Sequence, residues 1–173
     1  MFSPFNYARG RIHGVEFTAN YDAGPINSYF NLATSHASGK DLVSSQYFFA
    51  QDRIDFIANH YIHLDHDQKL ASSGGLTYAL DESTKVGVNY LFGTGLRRGF
   101  ANTAHLPAYF QLNLAVVHTF DLERFGKIET RLALINALDR TYELRDGTGV
   151  GVGAPQFGPR RGLYLGVTKN FDL

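Results

Sequence analysis

A chain of 173 residues with 16 basic and 16 acidic side chains fits one domain and carries no net charge with which to attract nucleic acid or anionic headgroups over a distance. It has no cysteine, which excludes thiolate metal sites, a disulfide framework and cysteine nucleophiles. No window reaches the roughly 18 apolar residues of a transmembrane helix, and the N-terminal MFSPFNYARGRIHG has no basic segment leading into an apolar run, while 14 Phe, 10 Tyr and 18 Gly with no Trp suit strands better than helices.

In chain order, the first element is RIHGVEFTANYD, where Val15, Phe17, Ala19 and Tyr21 alternate with Gly14, Glu16, Thr18 and Asn20. That period of two marks a strand with one apolar face. Ala23-Gly24-Pro25 reads as a tight turn, and residues 26 to 37 repeat the alternation more loosely, with Phe30 and Leu32 against Asn27, Asn31 and Ser35. Residues 38 to 65 read as a long connection. In KLASSGGLTYAL, Leu70, Leu76, Tyr78 and Leu80 oppose Ser73, Gly75 and Thr77. After a tight turn from Asp81 to Thr84, KVGVNYLF sets Val86, Val88, Tyr90 and Phe92 against Lys85, Gly87 and Asn89. A second long connection, 96 to 108, leads to YFQLNLAVVHTF, with Phe110, Leu112, Leu114, Val116 and Phe120 on one face and Gln111, Asn113 and Thr119 on the other. Asp121 to Gly126 is the third tight turn, and in KIETRLALIN the set Ile128, Leu132 and Leu134 opposes Glu129 and Arg131. A third long connection, 139 to 160, precedes LYLGVTKNFDL, where Leu163, Leu165, Val167, Phe171 and Leu173 oppose Tyr164, Thr168, Asn170 and Asp172.

These elements make an all-β chain of about seven antiparallel strands. Short and long connections alternate strictly, which is the arrangement of an outer-membrane barrel with turns at one end and loops at the other; such strands need only about 10 residues each, so hydropathy misses them. Opposite the apolar set stand Glu16, Glu129 and Arg131 among small residues. A wide, wet lumen accommodates them, whereas a small soluble barrel fills its interior with apolar side chains. Only His118 and Lys169 interrupt the apolar face, both near strand ends, where a charge facing lipid costs about 0–1 kcal/mol.

The stretches GRIHGVEFTANYDAGP, HYIHLDHDQKLASSGGLTYAL, NYLFGTGLRR, LPAYFQLNLAVVHTF and LALINALDRTYELRDGTGVGVGAPQFGPRRGLYLGVTKNF, taken in order, resemble the C-terminal part of a TonB-dependent outer-membrane receptor. The resemblance covers almost the whole chain. Gly14-Val15-Glu16, the run from Asn136-Ala137-Leu138-Asp139 to Tyr142, and the Gly-Pro-Arg-Arg approach to the last strand occur in the family's order. It implies that residues 1–173 are a C-terminal segment of a barrel of about 22 strands, filled by an N-terminal plug that is absent here. The expected fold is an open, curved sheet of transmembrane strands, with RIHGVEFTANYD at one edge and LYLGVTKNFDL at the other. The implied location is the outer membrane of a Gram-negative cell. The implied partners are its lipid and lipopolysaccharide, the remainder of the barrel and the plug, and the TonB energy-transducing complex acting through the missing N-terminal part. The implied cargo is a scarce nutrient, foremost a ferric siderophore chelate. Barrels of this class usually end in an aromatic residue, whereas here Leu173 is last and Phe171 stands two before it.

Two constellations could contact a ligand. HYIHLDHDQ concentrates His60, His63 and His66 with Asp65 and Asp67. On a strand, positions 60 and 66 share a face and 63 lies on the other, so three convergent imidazoles would need a turn, and no metal site is assigned. The stretch reads either as a polar strand entry at the membrane rim or as His60, His63, Asp65 and His66 contacting an iron chelate. Arg97, Arg98, Arg145, Arg160 and Arg161 fall on the long connections. Guanidinium groups clamp carboxylates and phosphates bidentately, so they read either as contacts for an anionic ferric chelate or as rim groups for lipopolysaccharide phosphates. The glycine-rich RDGTGVGVGAPQFGPRRG lacks the Gly-Lys-Ser/Thr ending and the G-x-G-x-x-G spacing of phosphate loops, and reads as the last extracellular loop. No Ser, His and Asp are tied together by a nucleophile motif, so the chain reads as a non-enzyme without cofactor. Two other readings stay open: a passive pore assembled from several copies, and a soluble all-β binding module whose apolar sets face an inner core.

Overall fold

The structure, a computed structural model, describes residues 6–43, 49–124, 126–151 and 153–169. Its strands are β1 (Asn6–Ala23), β2 (Ile26–Val43), β3 (Ile62–His63), β4 (Leu70–Ala79), β5 (Thr84–Gly93), β6 (Arg97–Arg98), β7 (Ala104–His105), β8 (Tyr109–Leu122), β9 (Gly126–Ile135), β10 (Glu143–Asp146), β11 (Pro155–Phe157) and β12 (Gly162–Lys169). The main sheet runs β1-β2-β4-β5-β8-β9-β12, every neighbour antiparallel and consecutive in the chain apart from the loop strands. These are the seven strands read from the alternation. Among the described residues β1 and β12 do not pair, so the sheet is open, with the expected strands at its edges. The predicted set Phe171, Leu173, Asn170 and Asp172 lies outside the described residues.

Register carries the alternation across the sheet without a slip. One row pairs Phe17 with Leu32, Leu32 with Ser72, Ser72 with Phe92 and Phe92 with Phe110. A row nearer the short turns pairs Tyr78 with Val86, Val86 with Val116, Val116 with Leu132 and Leu132 with Leu165. Directly opposed residues share a face, so the apolar sets of all seven strands merge into one surface. It is uncovered: Phe17 is 56%, Val116 43% and Leu165 72% exposed. The opposite face joins Glu16 to Ala33, Asn89 to Asn113 and Val117 to Arg131. A hollow lined by Asn27, Lys85, Asn89, Val117 and Arg131 lies on this polar side. Two glycines at the sheet centre are covered by neighbouring rings. A Cβ at Gly74 would come within 2.6 Å of the Tyr90 ring, and one at Gly75 within 2.5 Å of the Tyr29 ring, so each glycine makes room for an aromatic from the next strand.

The first two short connections are tight turns as predicted, and the third joins the paired residues Leu122 and Gly126. In the first, Gly24 has φ +56° and Asn27 donates to Asp22; in the second, the Asp81 carboxylate accepts the Ser83 and Thr84 N–H groups at 2.7 and 2.8 Å. The long connections differ from the sequence reading. Residues 38 to 43 are not loop, because β1 and β2 pair as an 18-residue ribbon that outruns β4 and projects beyond the sheet. Helix α1 (Gln51–Asn59) follows, in a stretch read as irregular. Nine residues are too few for its weak periodicity to stand out, and packing of Ile57 and Phe56 holds it in place. The glycine-rich last loop contains the β10–β11 hairpin, which is more ordered than the composition suggested.

The contiguous buried cluster lies at the loop end instead of on the sheet. Leu42 of the ribbon, Ile57 of α1, Ile62 of β3, Ala101 and Val150 form it, drawing on all three long connections. The loops therefore make one packed cap.

Candidate functional site

The cap is held by buried polar groups whose partners come from different loops. Asp67, just after β3, has no exposed side-chain surface. Its Oδ1 accepts the Ala37 N–H at 2.6 Å, and its Oδ2 accepts His63 Nδ1–H at 2.7 Å and Arg97 through Nε at 3.2 Å and an Nη at 2.9 Å. Burial alone would raise its pKa, but the hydrogen bonds from Ala37, His63 and Arg97 outweigh burial and hold the carboxyl below its ordinary range. Asn102 is fully buried. Its amide donates to the His63 and Val150 carbonyls at 2.9 and 3.1 Å and its oxygen accepts the Val150 N–H at 2.6 Å, so one side chain ties all three loops.

A second knot closes the last loop. Asn136 ends β9 with φ +48°, a conformation that asparagine tolerates better than most residues. Fully buried, it donates to the carbonyls of Arg140 and Pro159 at 2.8 and 2.9 Å. Asp139, also left-handed at φ +49°, accepts Arg160 bidentately at 2.9 and 2.7 Å and the Arg161 N–H at 3.1 Å. The Arg160 hydrogen bond, then the Arg161 N–H, depress its pKa well below the usual carboxylate range. The Asn-Ala-Leu-Asp and Gly-Pro-Arg-Arg stretches thus interlock. On the polar face beneath, Tyr142 donates to Gln111 at 2.6 Å and Gln111 to Asn113 at 2.9 Å; Asn113 donates to Asn89 at 2.7 Å.

The candidate ligand residues are distributed through this cap. All five arginines face loop carboxylates: Arg97 on Asp67, Arg98 on Asp146 at 3.4 Å, Arg145 on Asp65 at 3.0 Å, and Arg160 and Arg161 on Asp139. Arg97 and Arg145 are largely buried in these pairs, whereas Arg98, Arg160 and Arg161 keep 45%, 62% and 55% of their side chains exposed. The three histidines of HYIHLDHDQ do not converge. His60 closes α1, its ring stacked on Phe56 and bonded to the Phe56 carbonyl. His66 turns outward beside Asp65 and contacts Arg145. His63 instead meets His36 of β2, which in turn faces His13 of β1. His13 and His36 lie outside the histidine-rich stretch, and equal counting back from the Ala23–Gly24–Pro25 turn is the sequence signal that pairs them.

The open sheet with one apolar face, one polar face and a loop cap is the architecture of part of a larger β-barrel. Among solved structures the chain is similar to the siderophore receptor PiuA from Acinetobacter baumannii, with 16% identity and a TM-score of 0.67 over 91% of this chain and 21% of that one. No family model matches the sequence, and no curated protein does.

Proposed function

We propose that residues 1–173 form the C-terminal part of the barrel of an outer-membrane receptor that takes up a scarce nutrient, foremost a ferric siderophore, with energy from the TonB complex. The observation that carries this reading is the broad, exposed and predominantly apolar surface on one side of a sheet whose other side is polar. In water that surface is a liability, and against lipid it is satisfied. The likeness to a siderophore receptor barrel supports it. In this reading the cap is extracellular, the two open edges join the remaining strands around a plug, and lipid and lipopolysaccharide surround the apolar band. Arg97 and Arg145 hold the cap together. Arg98, Arg160 and Arg161, with His60 and His66, are the groups an arriving anionic chelate meets.

The test is uptake of radio-iron-loaded siderophores by iron-starved cells that lack their own receptors and express the complete gene product. TonB-dependent uptake is expected. Fractionation with the outer membrane but TonB-independent permeation would favour the passive pore, which the unpaired edges leave room for, and a protein found only in the soluble fraction would defeat both membrane readings. Replacing Arg98, Arg160 and Arg161 together by Ala is expected to weaken chelate binding at least about tenfold, the scale on which charge-assisted hydrogen bonds act. Unchanged affinity at equal surface level would leave these groups to lipopolysaccharide.

A further inference from the structure

We infer that His13, His36 and His63 form a binding site for a borderline divalent transition ion of the Zn2+ class, on the apolar-face side of the projecting β1–β2 ribbon. This inference does not depend on transport. His13 and His36 are directly opposed across the ribbon, and His63 of β3 pairs with Ser38, two residues further along β2 on the same face. The rings are not stacked. His13 and His36 lie 5.3 Å apart between centroids at 53°, and His36 and His63 lie 4.9 Å apart at 87°. Tetrahedral zinc with Zn–N distances of about 2.0–2.1 Å places neighbouring imidazole centroids about 5.2 Å apart, so both separations match those of rings sharing one ion. Donor atoms of His36 and His63 lie within 4.8 Å of one another, and all three rings line one cavity.

Asp67 positions the site and does not ligate. Both its oxygens are occupied, Oδ1 by the Ala37 N–H and Oδ2 by His63 and Arg97. Its bond to His63 Nδ1–H leaves Nε2 of that ring as the free donor, which is the carboxylate–histidine arrangement that orients metal ligands. Arg97 is neutralised by the same carboxylate, and the Arg11 guanidinium lies 4.3 Å over the Tyr61 ring. A cavity of about 270 Å3 beside the rings, lined also by Arg11 and Tyr61, leaves space for a fourth ligand such as water. Three protein nitrogens with one open position are a coordination set that zinc accepts. The ion would cross-link three strands where the ribbon leaves the sheet.

The experiment is calorimetric titration of ZnCl2 into the complete, metal-stripped protein in detergent micelles, with heat-modifiable electrophoretic mobility as the check that each variant is folded. One saturable site per chain is expected, and Co2+ in its place should give the intense visible bands of tetrahedral coordination. In folded His36→Ala and His63→Ala variants the affinity should fall at least about tenfold, and Asp67→Asn should weaken it about 10–100-fold while the cobalt bands remain. Absence of saturable Zn2+ binding, or equal affinity in a folded His36→Ala/His63→Ala double variant, would overturn the proposal. So would inorganic phosphate binding to these residues in place of the metal, which would make the cluster with Arg11 and Lys69 an anion site.

Discussion

Asn102 meets the His63 and Val150 carbonyls and the Val150 N–H with one carboxamide, at φ +57° and with no solvent exposure. A buried group left without its partner costs about 1–3 kcal/mol. Asn102→Ala should therefore loosen the cap by a few kcal/mol while the sheet stays assembled, seen as faster amide exchange at Val150 and at the residues around Ile57 with no change in the strands. Asp139 permits a pH prediction. Its pKa is depressed in the folded chain, chiefly by Arg160, so its contribution is present above the ordinary aspartate value of about 3.9 and is lost as pH falls below it toward the lower folded value. Protection factors in the last loop, taken against the intrinsic amide exchange rate at each pH, should therefore fall as the pH drops below about 4 in the native protein. In Asp139→Asn the same loop should exchange faster at neutral pH and show little of that acid dependence.

Among the elements, the centre of the sheet discriminates between glycines. A Cβ at Gly74 would press on the Tyr90 ring at 2.6 Å and the Tyr29 carbonyl oxygen at 3.3 Å, whereas one at Gly87 would make ordinary contacts at 3.6 and 3.7 Å. Overpacking of this kind costs about 1–3 kcal/mol. Gly74→Val should lower the temperature at which the assembled barrel loses its heat-modifiable mobility, and Gly87→Ala should leave it nearly unchanged. Equal effects at the two positions would mean that the rings over Gly74 are not packed as described.

The whole sheet is incomplete as a free object. Its edges β1 and β12 each present a row of backbone groups, and in hydrocarbon an unsatisfied N–H or C=O costs several kcal/mol. In water the same edges lie beside an exposed apolar face that includes Phe17 and Leu165. The isolated 173-residue chain, refolded into detergent or buffer, should therefore run as heterogeneous aggregate in gel filtration and should restore no uptake to receptor-deficient cells. A monodisperse, cooperatively melting monomer would show that this chain closes on itself.

The seven strands, their antiparallel order and the division into apolar and polar faces were legible in the sequence, because a period of two is a local property and each strand repeats it over several residues. The tight turns were legible for the same reason, since Gly24-Pro25 and the Asp81 turn act within a few residues. Much of the cap was not. Helix α1 is too short to announce itself, β10 and β11 are hidden in a glycine-rich run, and the pairing of each candidate arginine with a carboxylate spans loops remote in the chain, as in Arg97 with Asp67 and Arg98 with Asp146. The histidines divide along the same line. HYIHLDHDQ drew attention to His60, His63 and His66, which sequence places together and the fold separates, while His13, His36 and His63 are separated in sequence and gathered by strand register. Local chemistry determined the strands; only long-range pairing, by bringing loop ends onto one another, decided which charged and imidazole groups meet.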